Sequence, residues 1–179
     1  MSNKIFIDFG SGDNFSQMKK AKLRGLYTIA INQEGPDKYT FMESEHWKLI
    51  VDETHIGKIS DEFNIPKADE WICGSVLEHM LEDEIHKELQ GLKKKIKHTS
   101  TGQIHIDLTD HAGGFRHYIE EDYGKRYPVF YLNRIRENAW TQIIRKYFYY
   151  DDKQLRFEKS GPPIHTSIIS VDFFGCSPK

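Results

Sequence analysis

At 179 residues the chain has the usual size of one domain and is long enough to bury roughly 70% of the surface its unfolded form exposes. Charged residues make up 29% and apolar ones 38%, a balance that excludes a disordered, fibrous or membrane-embedded chain. Lys and Arg (25) nearly cancel Asp and Glu (27), so no overall basic field exists to hold a nucleic-acid backbone, and nucleic acid is not an expected partner.

No apolar run approaches the roughly 20 residues of a membrane span, and the opening Met-Ser-Asn-Lys-Ile-Phe-Ile-Asp lacks a signal peptide's order of basic then apolar segments. No membrane association is expected, and the expected compartment is the cytoplasm. Cys73 and Cys176 both lie in apolar, strand-like runs, where a buried structural thiol is the expected state and no disulfide framework is implied.

In chain order, Ile5 to Ile7 reads as a first strand, followed by Asp8-Phe9-Gly10-Ser11-Gly12-Asp13. A helix is predicted from Phe15, with Met18, Leu23 and Leu26 as apolar contacts and Gly25 placed to end it. Tyr27 to Ile31 reads as a second strand and Trp47 to Val51 as a third, ending at Asp52; residues 33–47 give no clear element. Trp71 to Cys73 forms the fourth strand. Between Leu81 and Lys97 the residues Leu81, Ile85, Leu89, Leu92 and Ile96 step by three and four, drawing one apolar stripe along a helix. Glu82, Asp83 and Glu84 open that helix and Lys93, Lys94, Lys95 and Lys97 close it, so both ends complement the helix dipole, and the lysine run reads as a solvated helix end.

Gln103 to Leu108 alternates as a fifth strand. The aromatic and polar stretch from Thr109 to Tyr131 shows no strong pattern. Ile135, Ala139, Ile143 and Ile144 predict a further helix, and Leu155 to Phe157 with Ile168 to Phe174 predict an antiparallel hairpin at the sheet edge. Strands alternating with helices give an α/β class: a Rossmann-like three-layer sandwich in one domain over 1–179, mostly parallel, with an antiparallel edge hairpin.

A strand running into Asp8-x-Gly10-x-Gly12 before a helix places glycines where backbone must pass close to a ligand, at the carboxyl ends of the strands. A pyrophosphate would want a third glycine there, whereas Asp13 follows Gly12 and would repel it. A sulfonium and an ammonium group, as in S-adenosylmethionine, would be attracted by Asp8 and Asp13, although Asp13 also reads as a helix N-cap. After the second strand Asn32 or Glu34 could accept from ribose hydroxyls. Asp52 stands at the place of the adenine end, or is a solvated loop carboxylate.

The segment Asp69-Glu70-Trp71-Ile72-Cys73-Gly74-Ser75-Val76-Leu77-Glu78-His79 resembles the fourth-strand region of class I S-adenosylmethionine-dependent methyltransferases. His105-x-Asp107-x-x-Asp110-His111, with Asn133-Arg134-Ile135-Arg136, resembles a bacterial subgroup of that family. The resemblance implies a seven-stranded sheet with its last strand antiparallel, S-adenosylmethionine as cofactor, and methyl transfer. By the same resemblance Asp8, Gly10 and Gly12 line the methionine and ribose end, Ser75 lies beside the cofactor's edge, and Glu78 and His79 start the helix behind the pocket. The family's helical segment before the first strand has no counterpart here, so the cofactor pocket would stay open unless another part of the chain, a second copy or a partner covers it.

For a hydroxyl acceptor the protein must position the nucleophile and remove a proton, a task suited to histidine. His111 is the preferred base and His105 the second candidate, with Asp107 and Asp110 to orient or charge-balance them. The same four side chains could also hold a divalent metal or form a structural network. Arg134 and Arg136 would suit a carboxylate or phosphate on the substrate, or hold a loop by pairing with Asp107 or Asp110. Tyr118, Tyr123, Tyr127, Phe130 and Tyr131 wall a substrate pocket or pack as a lid. The expected activity is O-methylation of a small molecule or glycan; the alternatives are a methyltransferase-like binding subunit without turnover and a nicotinamide-dependent Rossmann oxidoreductase, against which Asp13 argues.

Overall fold

The apolar runs Ile5–Phe9 (β1), Tyr27–Asn32 (β2) and Ala68–Gly74 (β4) pair in parallel at the centre of the sheet. The computed structural model describes residues 4–10, 16–32, 45–108, 133, 135–159 and 168–179. Helix α1 (Ser16–Leu23) joins β1 to β2, and Gly25, at φ +79°, makes the turn out of it. Beyond β4 lie β5 (Ile96–Asp107), parallel to it, and β8 (Ile168–Pro178), antiparallel to β5. The two-residue β6 (Phe148–Tyr149) and β7 (Arg156–Lys159) both pair with β8, antiparallel to it. With β3 (Glu53–Ile56) at the far edge, the strand order is β3-β2-β1-β4-β5-β8-β6, with β7 beside β8. The expected mostly parallel sheet with an antiparallel edge is present, and the described residues form eight strands, with β6 and β7 as two separate pieces along the outer side of β8.

The predicted third strand over Trp47–Val51 is instead helix α2 (Glu45–Ile50). Ile50 and Val51 are buried against Met18 and Ala21 of α1, while Leu49 is 72% exposed, so the apolar residues do not form one continuous strand run. The real third strand, β3 (Glu53–Ile56), is a polar edge strand beside β2. Such a strand lacks the apolar signature that marks a central one.

Helix α3 (Glu82–Lys95) carries the predicted stripe, with Ile85, Leu89 and Leu92 buried against Trp71, Cys73, Ile104 and Ile106. It stops at Lys95 because Ile96 already belongs to β5, which therefore begins well before the predicted Gln103. Lys95 departs from the solvated reading: it is buried, its Nζ donates to the Asp61 carbonyl at 2.6 Å, and it stands over the Phe63 ring. Helix α4 (Glu137–Tyr147) buries Trp140, Ile143 and Ile144 beside α3, while Ala139 faces outward. Both cysteines are free and buried, and burial pushes the Cys176 thiol up to about 12, consistent with inert structural thiols. Among the described residues no helix is long and apolar enough to cross a membrane.

No helix intervenes between β3 and β4; the chain is strapped onto α3 instead. Buried Glu88 accepts from the Ser60 amide at 2.8 Å and the Ser60 hydroxyl at 2.6 Å, and Gly91 lets the strap approach. A Cβ on Gly91 would stand 2.4 Å from the Ser60 Cα. Gly91→Ala is therefore expected to destabilise the protein by about 1–3 kcal/mol, despite the better helix propensity of alanine. Urea unfolding checks this, and an increase in stability would show that the strap yields without cost.

Candidate functional site

Alternate residues of each strand point to opposite faces of the sheet. Ile7, Phe9, Trp71, Ile104 and Phe173 face α3 and α4, while Phe6, Ala30 and Ile72 belong to the α1 and α2 side. The strand register then draws one row across that second face at the carboxyl ends. Asn32, Gly10 and Gly74 follow one step beyond the last residues that β1 pairs with β2 and β4, and Gly74 is paired with His105, His105 with Asp172, and Asp172 with Arg156. Two adjacent glycines thus leave the row without side chains between Asn32 and His105, three strand spacings or about 14 Å apart.

Gly10 needs its residue type. Its φ is +84°, its amide donates to the Ile31 carbonyl at 2.8 Å, and a Cβ there would fall 2.0 Å from Cγ2 of Val76. Val76 reaches it because Ser75 takes the left-handed conformation (φ +54°) and turns the chain back after β4, with its amide donating to the His105 carbonyl at 3.0 Å. Around Gly74 there is space: among the described residues a Cβ would meet only the His105 Cβ, at 3.9 Å.

His105 is oriented by Asp172, a partner the sequence analysis missed. Its Nδ1 lies 2.7 Å from the Asp172 carboxylate, which also accepts from the Gln103 amide at 3.3 Å. A carboxylate can only accept, so Nδ1 carries the proton and Nε2 is left as the atom able to take one. The hydrogen bond to Asp172 raises the His105 pKa against the opposing effect of burial. The visible signal was a lone carboxylate between Val171 and Phe173, which are both fully buried. Asp107, the expected orienting residue, sits two residues on, and its amide donates to the Glu78 carboxylate at 3.2 Å.

Two buried carboxyls flank the row. Burial pushes Asp8 up to about 8; Glu78 is pushed to about 8 by the same cause, against its own amide and that of Asp107. Between about pH 4 and about pH 8 the folded protein then holds protons that the unfolded chain has released, so stability falls as pH rises through that window. The raised His105 acts in the same direction at the upper end. The ligand-free protein should melt several degrees lower at pH 9 than at pH 6, and an equal or higher melting temperature at pH 9 would contradict this electrostatic reading.

Asp52 does not stand at the adenine end. It precedes β3, at the amino ends of the strands, where its carboxylate accepts from the Thr28 amide at 2.9 Å and hydroxyl at 3.0 Å and pairs with Lys22. Burial raises its pKa, but the bonds from Lys22 and Thr28 outweigh that and hold it below the usual carboxylate range. The corresponding place at the carboxyl end of β3 is Gly57, whose amide donates to the Asn32 carbonyl at 2.8 Å. Glu78 and His79 do not start α3; they belong to a separate 3-10 turn, Leu77–His79, and two residues follow before Glu82. Arg136 stands exposed at the N-cap of α4, on the face opposite His105.

Gly12, Asp13, Glu34, Asp110, His111, Arg134 and the residues Tyr118, Tyr123, Tyr127, Phe130 and Tyr131 lie outside the described residues. Among the described residues no group of three or more His, Cys, Asp or Glu could hold a metal ion. A pocket of about 260 Å³ lies toward the amino ends of the same sheet face, lined by Phe6, Arg24, Glu70, Ile72 and Gln103 among others; neither His105 nor Asp172 lines it.

No protein-family model and no curated protein matches the sequence. Solved structures do match in shape. A mitomycin 7-O-methyltransferase agrees with a TM-score of 0.59 at 17% identity, over 99% of this chain and 49% of its own. A 1,6-didemethyltoxoflavin N1-methyltransferase from Burkholderia thailandensis, crystallised with its substrate and S-adenosylhomocysteine, agrees at 0.66 and 14%, over 99% of this chain and 72% of its own. A family 2 O-methyltransferase from Planctomyces limnophilus in complex with apigenin agrees at 0.59 and 14%, over 99% and 50%. The chain spans about half the length of the first and third of these. At such identities the agreement speaks for architecture alone: the chain has the Rossmann-like α/β fold of class I S-adenosylmethionine-dependent methyltransferases.

Proposed function

We propose that this chain binds S-adenosylmethionine across the carboxyl ends of β2, β1 and β4 and methylates a hydroxyl of a small molecule or glycan, with His105 as the base. The observation that carries the reading is the row in which Gly10 and Gly74 put no side chain of their own between Asn32 and the His105–Asp172 pair, with open space at Gly74. The residues suit the donor. Gly74 leaves space for a ligand to approach the backbone beside His105, Gly10 lets Val76 and the turn after β4 close onto the end of β1, and Asp8 is a buried carboxyl whose ionised form would be favoured by neighbouring positive charge. When bound, the donor supplies an electrophilic methyl group on a sulfonium. His105 Nε2 would accept the hydroxyl proton while Asp172 steadies the resulting imidazolium.

The solved structures of like fold, an N1-methyltransferase holding S-adenosylhomocysteine, a mitomycin 7-O-methyltransferase and a family 2 O-methyltransferase holding apigenin, support the donor and a small-molecule acceptor. A single methyltransferase-like domain over 1–179 belongs to the same proposal. The test is label transfer: the protein with donor carrying a tritiated methyl group, incubated with pools of phenols, sugars and other small alcohols. Label should appear in at least one hydroxyl-bearing pool. Donor bound tightly, with no transfer to any pool, would instead favour a binding subunit without turnover.

A further inference from the structure

Glu78 has no part in the chemistry above, yet it is a buried carboxyl at 2% exposure, placed between the turn after β4 and the end of β5. One oxygen, Oε1, accepts the Asp107 amide at 3.2 Å; the other, Oε2, is buried with no hydrogen-bond partner among the described residues. A buried oxygen left unpaired forfeits its hydration without return, a loss that a leucine of similar size would avoid. The turn that carries Glu78 is itself pinned. Asn133 donates from Nδ2 to the Leu77 and Met80 carbonyls, both at 3.0 Å, and from its amide to the Glu78 carbonyl at 2.8 Å. Its Oδ1 accepts from the Ile135 amide at 3.3 Å.

The consequence falls on His105. The Ser75 amide holds the His105 carbonyl, and Glu78 holds the Asp107 amide, so residues 75–78 clamp the backbone of 105–107 at two points. We propose that Glu78 is a positioning residue for His105: its carboxyl fixes the end of β5 so that the imidazole keeps its place between Asp172 and the glycine gap. The proposal rests on the reading of His105 as the base. The charged and titratable groups around Glu78 are His105 and Asp107 on β5 and Cys73 on β4. His105 favours the charged carboxylate and Asp107 opposes it.

The experiment follows the His105 ring resonances against pH by NMR, with exchange of the Asp107 amide and S-adenosylhomocysteine affinity measured on the same samples. In Glu78→Leu the His105 midpoint should drop by about half a pH unit as the bond to Asp172 slackens, and the Asp107 amide should exchange at least roughly tenfold faster. Glu78→Gln keeps the Oε1 acceptor and should retain the wild-type Asp107 exchange rate, with a smaller fall of the His105 midpoint than leucine because only the charge is lost. Asn133→Ala removes the side-chain bonds to the Leu77 and Met80 carbonyls while leaving the Glu78 carboxyl in place, and should shift His105 in the same direction as leucine. An unchanged His105 midpoint in folded Glu78→Leu overturns the proposal. Should the leucine variant not fold, a wild-type midpoint in Asn133→Ala, or a leucine-sized shift in Glu78→Gln, overturns it instead. Absence of S-adenosylhomocysteine binding by the unaltered protein would refute the methyltransferase reading separately, since the NMR readouts do not depend on it.

Discussion

His105→Ala is expected to lower methyl transfer by about 10²–10⁴-fold, the usual contribution of a positioned general base, while S-adenosylhomocysteine affinity changes less than about twofold. The separation follows from geometry. His105 stands on β5, across Gly74 from the donor gap, and its Nε2 is the free end of a chain anchored on Asp172. Asp172→Asn should be milder but diagnostic. An amide at this position can stabilise the wrong tautomer and cannot steady the imidazolium, so the rate should fall and its pH profile should move.

In the unaltered protein the rate should rise as pH passes a midpoint above the ordinary histidine value, because the base must be unprotonated and Asp172 holds its proton on. In Asp172→Asn that midpoint should shift downward. Rates on an acceptor identified by label transfer, measured from pH 5 to 9, check both. Wild-type turnover in His105→Ala would remove His105 from the chemistry and leave His111 as the remaining candidate.

The second large effect is at Gly10. An alanine there must adopt a positive φ, costing about 1–2 kcal/mol, and its methyl group would overlap Val76, with overpacking adding about 1–3 kcal/mol. Gly10→Ala should therefore lose about 2–5 kcal/mol of stability, and its donor affinity should fall by at least tenfold. Combining it with Val76→Ala relieves the overlap but not the backbone strain, so the double variant should recover part of the stability and little of the binding. Denaturant titration with parallel ligand binding reads both quantities. Full stability in Gly10→Ala would mean that the turn after β1 can be rebuilt without a glycine.

What the sequence made legible were elements whose signal is local. The apolar runs of β1, β2 and β4, the stripe of α3 with its charged ends, and the hairpin of β7 and β8 all appear where periodicity places them. The glycine at position 10 was visible because a strand running into a glycine turn has few other uses. The errors have equally physical sources. β3 leaves no mark in the sequence because an edge strand of Glu53, Thr54 and His55 carries no apolar run, and α2 looks like a strand because a short cluster of Trp47, Leu49, Ile50 and Val51 fits either period. Asp172 could not be joined to His105 from sequence, since 67 positions separate them and only the antiparallel register brings them to 2.7 Å. Asp52 was placed on the wrong end of the sheet because the third strand begins after it rather than before it. Charge alone does not reveal that the Lys95 ammonium turns inward over the Phe63 ring and onto the Asp61 carbonyl.

The central claim, a donor site across Asn32, Gly10 and Gly74, is tested most directly by calorimetric titration of S-adenosylhomocysteine into the ligand-free protein, with Gly10→Ala alongside. The account predicts saturable heat with one site per chain in the unaltered protein and at least tenfold weaker binding in the variant. No binding heat at concentrations near a millimolar, or equal affinity in the two proteins, would contradict it.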